Sequence, residues 1–192
     1  MMPTRRCVFL DRDGVINTEV SYLHDPEQLE IIPGALEAIA QLSRSGAAVV
    51  VVTNQAGIGR GKYTERDFAA VTSRLDELVA TVGARLDGTY FCPHHPDAGL
   101  GEYRRACRCR KPGPGMLEQA AAEHDLDLRR SILVGDKATD LEAGRAVGAV
   151  AVLVRTGYGA SEEVAIRAAG LCDVVFDSLA HATPWILERL RV

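Results

Sequence analysis

Ala47 to Val52 reads Ala-Ala-Val-Val-Val-Val, with no polar residue on either alternate position. A strand with one wet face would alternate, so this one must be covered on both sides. Other short apolar or β-branched runs, Cys7–Leu10, Gly88–Phe91, Ser131–Val134, Val150–Val154 and Asp173–Val175, recur along the chain. Segments of helical period separate them. Gly34–Ser45 puts Leu36, Ile39, Ala40 and Leu42 on one stripe, and Thr64 caps a helix reaching about Val82. Pro114–His124, Asp140–Val147, Ser161–Ala169 and Ser178–Arg189 follow. Buried strands alternating with helices predict an α/β fold, a doubly wound parallel sheet with helices on both faces. At 192 residues the chain suits a single domain over residues 1–192 with a core large enough to need no disulfides.

The formal net charge of -4 argues against a general nucleic-acid or membrane-surface binder, which carries a basic excess. Met1 to Arg6 leads into an apolar run too short for a signal peptide or membrane span, so a cytoplasmic protein is expected, a monomer by default. In that setting the five cysteines suit reduced thiolates and metal better than bridges, with Cys7 and Cys172 as ordinary buried cysteines.

In a sheet of this kind ligands bind beyond the carboxyl ends of the strands. The residues there are unusually polar. After the first strand, Asp11-Arg12-Asp13-Gly14 places two acids two residues apart, suited to dividing nucleophilic attack and proton transfer between them. After the second, Thr53, Asn54 and Gln55 offer neutral donors fit for phosphoryl oxygens. After the fourth comes Gly135-Asp136-Lys137-Ala138-Thr139-Asp140, in which Asp136 is placed to bind Mg2+ and Asp140 either supports that site or begins the helix as its N-cap.

Cys92-Pro93-His94-His95-Pro96 and the later Cys107-Arg108-Cys109-Arg110-Lys111 supply soft ligands of a different kind. A Cys-x-His pair and a Cys-x-Cys pair with a 12-residue loop between them can close a tetrahedral structural Zn2+ site from Cys92, His94, Cys107 and Cys109. His95 breaks that alternation and is read as a loop hydrogen-bonding residue. The last ligand stands two residues from Lys111, a cation able to balance a crowded phosphoryl site.

Together, Asp11-x-Asp13-Gly14, Thr53-Asn54, Lys111 and Gly135-Asp136-x-x-x-Asp140 resemble the four motifs of the haloacid dehalogenase-like phosphatases, over roughly residues 7 to 155. The resemblance implies a Rossmann-like core. It makes Asp11 the nucleophile, Asp13 the general acid/base, and Thr53 and Lys111 the stabilisers of the transferring group. Asp11, the Asp13 backbone carbonyl and Asp136 would bind Mg2+. Val15 stands where that superfamily often has threonine.

The cysteine passage, with the stretches Val52–Lys62 and Leu153–Gly157, is similar to one branch, the D-glycero-D-manno-heptose 1,7-bisphosphate 7-phosphatases. That likeness implies a small sugar bisphosphate as substrate, a structural zinc loop at residues 92–109 and no large cap domain. It also implies Glu19, Val20, Ser21, Tyr22, Thr53, Asn54, Gln55, Ala56, Arg110, Lys111 and Lys137 as substrate contacts, with Arg60 and Lys62 as further phosphate contacts to consider. Histidinol-phosphate phosphatase shares the four motifs and a zinc loop. A zinc-knuckle module binding nucleic acid would use Arg104 to Lys111, but the acidic chain has no aromatic partner there beyond Tyr103.

Overall fold

A computed structural model describes residues 5–191, so the outer limits of the expected domain, residues 1–4 and 192, lie outside the described residues, as does most of the Met1–Arg6 leader segment. Six strands, β1 (Cys7–Leu10), β2 (Ala48–Asn54), β3 (Gly88–Cys92), β4 (Ile132–Gly135), β5 (Val150–Val154) and β6 (Val174–Phe176), form one sheet in the order β3-β2-β1-β4-β5-β6. Every pairing is parallel. The helices are α1 (Ala35–Arg44), α2 (Ala56–Gly59), α3 (Glu65–Thr81), α4 (Gly115–His124), α5 (Ala138–Ala146), α6 (Gly159–Ala168) and α7 (Leu179–Arg189).

Alternate residues of each strand feed two cores. Val8, Leu10, Val49 and Val51 pack with Ile39 and Leu42 of α1, Leu75 and Val79 of α3 and Ile186 of α7. Cys7, Phe9, Val50 and Val52 face the other way, onto Met116 and Leu117 of α4, Leu141 of α5 and Ile166 of α6. That division is why the valine run carries no polar alternate: both faces of its strand are interior. No helix among the described residues is long and apolar enough to cross a membrane.

Boundaries differ from expectation where pairing adds to local pattern. β2 runs on through Thr53 and Asn54 because β3 stays paired beside it, Thr53 with Phe91 and Asn54 with Cys92. The polar pair is thus strand, not turn, and is correspondingly rigid. The fifth helix starts at Ala138 instead of Asp140, so Asp140 is not the N-cap; that position is Lys137, and the Lys137 backbone N–H donates to Asp140 Oδ2 at 3.0 Å. For α3 the sequence pattern is met in full, with Thr64 and Asp67 forming a reciprocal capping box.

Candidate active site

The β1–β4 ladder continues one residue past the strands, Asp11 N–H to Val134 C=O at 3.0 Å, and sets Asp11 beside the end of β4. The chain then turns through Gly14 at φ +86°. A Cβ on Gly14 would run into the Asp136 carboxylate, so glycine here lets the turn close onto that acid. Asp11, Asp136 and Asp140 are all buried, and one carboxylate oxygen from each lies within 4.8 Å of the others.

Lys111 is the cation of this cluster. Its Nζ donates to Asp11 Oδ1 at 2.8 Å and Val52 C=O at 2.8 Å, and pairs with Asp140 Oδ1 at 2.7 Å, which uses all three ammonium hydrogens. Its peptide is clamped as well. Asn54 Nδ2 donates to Lys111 C=O and Lys111 N–H donates to Asn54 Oδ1, both at 3.0 Å. Burial alone would push the ammonium down, but Asp11 and Asp140 outweigh it and hold Lys111 above the usual lysine range.

Three carboxylates against one ammonium leave two uncompensated negative charges in a dry site. Burial, reinforced by Asp140 and Asp13 and opposed by Lys111, pushes Asp11 up to about 7. Burial, Asp11 and Asp140 push Asp136 up to about 8, against the Tyr158 N–H that donates to its Oδ2 at 2.9 Å. Asp136 Oδ1 is buried with no hydrogen-bond partner. Hard oxygen donors, two excess charges and an orphaned carboxylate oxygen fit a divalent cation such as Mg2+.

The sign of the pH effect follows from these shifts. Folded Asp11 and Asp136 hold protons more tightly than they do unfolded, so metal-free stability is greatest below about pH 4 in this respect and is lost as pH rises through 7 and 8. In Mg2+-free buffer the melting midpoint should therefore drop by roughly 5 °C between pH 5 and pH 8, and Mg2+ should restore it at pH 8. A midpoint indifferent to both pH and Mg2+ would contradict the cluster's charge balance.

The Asp13 carboxylate stands apart from these acids. Arg12, 1% exposed, donates to both its oxygens from Nη2 at 3.0 Å, Asn17 Nδ2 reaches Oδ1 at 3.0 Å, and Gln55 Nε2 reaches Oδ2 at 3.0 Å. Arg12 lies 5.5 Å from the Phe68 ring centroid. Sequence reasoning passed over Arg12 and Asn17. The alternation of the Asp11-Arg12-Asp13 turn was the one available signal, and it said nothing of a buried guanidinium.

A cavity of about 320 Å³ opens here. Its wall includes Asp11, Asp13, Glu19, Val20, Ser21, Tyr22, Thr53, Asn54, Gln55, Ala56, Lys111 and Lys137, each expected from the sequence, together with Arg60, Tyr63 and Tyr158. Arg110 is not on that wall. Its Nη1 instead donates to the His94 carbonyl at 3.2 Å, an acceptor on the metal loop. Lys62 is also off the wall, 5.9 Å from the Tyr22 ring centroid. Lys137 pairs with Glu19 at 3.1 Å. Arg60 donates to the Tyr22 hydroxyl at 3.1 Å and, of the cations on the wall, is the one with no carboxylate partner among the described residues.

Cys92 is the last residue of β3, and its neighbours are tied to the site: Gln55 N–H donates to Cys92 C=O at 2.8 Å and Gly59 N–H to Pro93 C=O at 3.1 Å. The sulfurs of Cys92, Cys107 and Cys109 lie 3.1 to 3.5 Å apart, with His94 Nδ1 at 3.4 Å and 3.6 Å from Cys109 and Cys92. A tetrahedral zinc with Zn–S of about 2.3 Å has ligand-to-ligand edges of roughly 3.5–3.8 Å, so this cluster is the right size with slight expansion. His95 Nδ1 accepts from the Asp97 and Ala98 N–H groups at 3.2 Å and 3.0 Å, the loop role expected of it.

Comparison with known proteins agrees with this geometry. Residues 108–182 match the model of the HAD-hydrolase-like family. The chain is similar to D-glycero-beta-D-manno-heptose-1,7-bisphosphate 7-phosphatase of Vibrio cholerae, 44% identical over 94% of this chain and 96% of the relative. Its counterpart in Haemophilus influenzae is 43% identical over 97% of this chain and 98% of that one. Among solved structures, D,D-heptose 1,7-bisphosphate phosphatase from B. bronchiseptica, complexed with magnesium and phosphate, superposes with a TM-score of 0.83 at 34% identity, covering 95% of this chain and 98% of its own.

Proposed function

The chain belongs to the heptose-1,7-bisphosphate 7-phosphatases of the haloacid dehalogenase-like hydrolases, and from that premise we propose that it removes the 7-phosphate of D-glycero-D-manno-heptose 1,7-bisphosphate through an aspartyl phosphate. The observation that carries this reading is the cluster of three buried acids, Asp11, Asp136 and Asp140, against the single ammonium of Lys111, opening onto the cavity through Asp11 and Asp140 beside a separately held Asp13.

In the proposed mechanism Lys111 holds Asp11 Oδ1, leaving Oδ2 to attack phosphorus. Thr53 donates to an equatorial oxygen, Lys111 balances the transferring group through its charge while its hydrogens stay on Asp11, Val52 and Asp140, and the P–O bond to the sugar breaks as Asp13 gives its proton to the leaving 7-oxygen. Asp13 then takes a proton from water, which attacks the acyl phosphate and frees Asp11 and inorganic phosphate. Asp11 and Asp136 would hold Mg2+, which supplies charge neutralisation at a phosphoryl oxygen. Asp140 is proposed to act through Lys111. Zn2+ in Cys92, His94, Cys107 and Cys109 is proposed as structural, within one domain spanning residues 1–192.

Arg60, Lys137 and Tyr22 are proposed to meet the second phosphate and the sugar hydroxyls, Arg60 first because no carboxylate in the cavity neutralises it. Arg110 joins them on releasing the His94 carbonyl, a rotation open to a half-buried arginine. The cytoplasmic location stays part of the proposal, since a doubly phosphorylated sugar does not cross a bilayer unaided; so does the monomer.

The relatives' names specify the β anomer. Turnover of separately prepared α- and β-bisphosphates and of histidinol phosphate should rank β first, by about tenfold or more in kcat/KM. Preference for histidinol phosphate would overturn the substrate assignment.

A further inference from the structure

Gln55 was expected to touch substrate, but its amide has nothing left to give. Nε2 donates one hydrogen to Asp13 Oδ2 at 3.0 Å and the other to Thr53 Oγ1 at 2.8 Å. Oε1 accepts from the Tyr63 hydroxyl. Gln55 is 3% exposed and Tyr63 8%, so water is a poor substitute for any of these partners. Two donors and one acceptor are matched by two acceptors and one donor.

We infer that Tyr63 is a positioning residue, which by donating to Gln55 Oε1 fixes the amide so that its NH2 faces Asp13 and Thr53. The flipped amide would set Oε1 beside Thr53 Oγ1 and Asp13 Oδ2, drawing the threonine hydrogen to itself and leaving Asp13 without the N–H that holds it. Facing the flipped NH2 the phenol would accept, and its own hydrogen would be left without an acceptor in a buried place, so the observed arrangement is the one that pairs it; burial, more than the neighbouring acids, pushes the hydroxyl up to about 12 and keeps that hydrogen on it. The polarity then passes on. Thr53 Oγ1 accepts from Gln55, so its own hydrogen is free for the transferring phosphoryl group, and Asp13 is held in register to protonate the leaving oxygen. Tyr63 is on the cavity wall, and its hydroxyl is joined to Asp13 and Thr53 through Gln55.

The inference rests on Asp13 being the general acid, and the test separates the two. An alkyl phosphate such as the heptose 7-phosphate needs its leaving oxygen protonated, whereas 4-nitrophenolate leaves without a proton. Tyr63→Phe should lower kcat on the heptose bisphosphate about 30-fold and on 4-nitrophenyl phosphate no more than about 3-fold, with KM little changed. Gln55→Met, which keeps the length and removes the amide, should show the same ester-selective loss, and adding Tyr63→Phe to it should cost nothing further. Equal losses on both esters, or full additivity of the two substitutions, overturn the inference. Asp13→Asn run in parallel tells which idea has failed: if it too loses equally on both esters, the acid assignment falls and takes the relay with it, whereas a selective loss there and not in Tyr63→Phe removes the relay alone.

Discussion

Asp11→Asn removes phosphate release, with a loss on the order of 10⁴-fold or more, and at the same time raises the melting midpoint of the Mg2+-free protein at neutral pH. Both effects come from one atom exchange. The amide keeps an oxygen for Lys111 Nζ, which sits 2.8 Å from Asp11 Oδ1, and keeps the shape of a site that is almost closed to water. What it loses is the anionic oxygen proposed to attack phosphorus. It also loses one of three buried carboxylates whose mutual repulsion and burial already hold Asp11 and Asp136 well above the usual range. The exchange thus opposes rate and stability, as expected where a site is built from strained charge. Phosphate release on the heptose bisphosphate, read beside thermal melting at pH 7.5, checks both; retention of a tenth of the rate would remove Asp11 from the mechanism.

Cys107→Ser should release the bound zinc, loosen residues 92–109 and lower kcat/KM by about 10- to 100-fold. Its effect on Lys111 should be smaller than the sequence alone suggests. Cys109 precedes Lys111 by two residues, which makes the metal look like the sole support of that lysine. In the fold, the Asn54 amide grips the Lys111 peptide from the end of β2 and Val52 C=O holds its ammonium, so the lysine is fastened to the sheet independently of the thiolates. The Arg110 side chain, by contrast, is held by the His94 carbonyl, itself part of the metal loop. Hydrogen exchange should accordingly show fast amides from Cys92 to Cys109 and a protected Lys111, with zinc content measured on the same sample. A variant that kept one zinc and full rate would refute the ligand set, and an equally exposed Lys111 would refute the clamp.

Much of this site is legible in the sequence because strand ends concentrate chemistry and each end announces itself by a polar residue after an apolar run. Asp11, Thr53 and Asp136 were found that way: Asp11 and Thr53 share the cavity wall, and Asp136 joins Asp11 in the buried carboxylate cluster. The spacing of Cys92, His94, Cys107 and Cys109 was equally readable, since two short-range pairs leave few other ways to close. The misses share a cause. Asp140 stayed open between cap and metal support because helix onset is a local signal, whereas its carboxylate is claimed by Lys111, a partner set by tertiary packing. Thr53 and Asn54 looked like turn because nothing near them says that β3 will keep pairing. Arg12 and Tyr63 carry no periodicity at all. Their roles are fixed by which acceptor happens to lie across the fold.

Strand β1 is the first to be synthesised and lies at the centre of the sheet, with Val8 paired to Val49 on one side and to Ile132 on the other. The second pairing must wait until most of the chain exists, roughly ten seconds at ribosomal speed. Throughout that interval the growing chain carries an apolar strand with one open edge, the kind of surface that chaperones bind and nascent chains aggregate through. Asp11 directly follows β1, but Asp136 and Asp140, the buried acids beside it, come only after β4, the strand that closes that edge. The centre is therefore assembled late, and a chain that stops before β4 carries the nucleophile with an exposed strand edge and without Asp136 or Asp140.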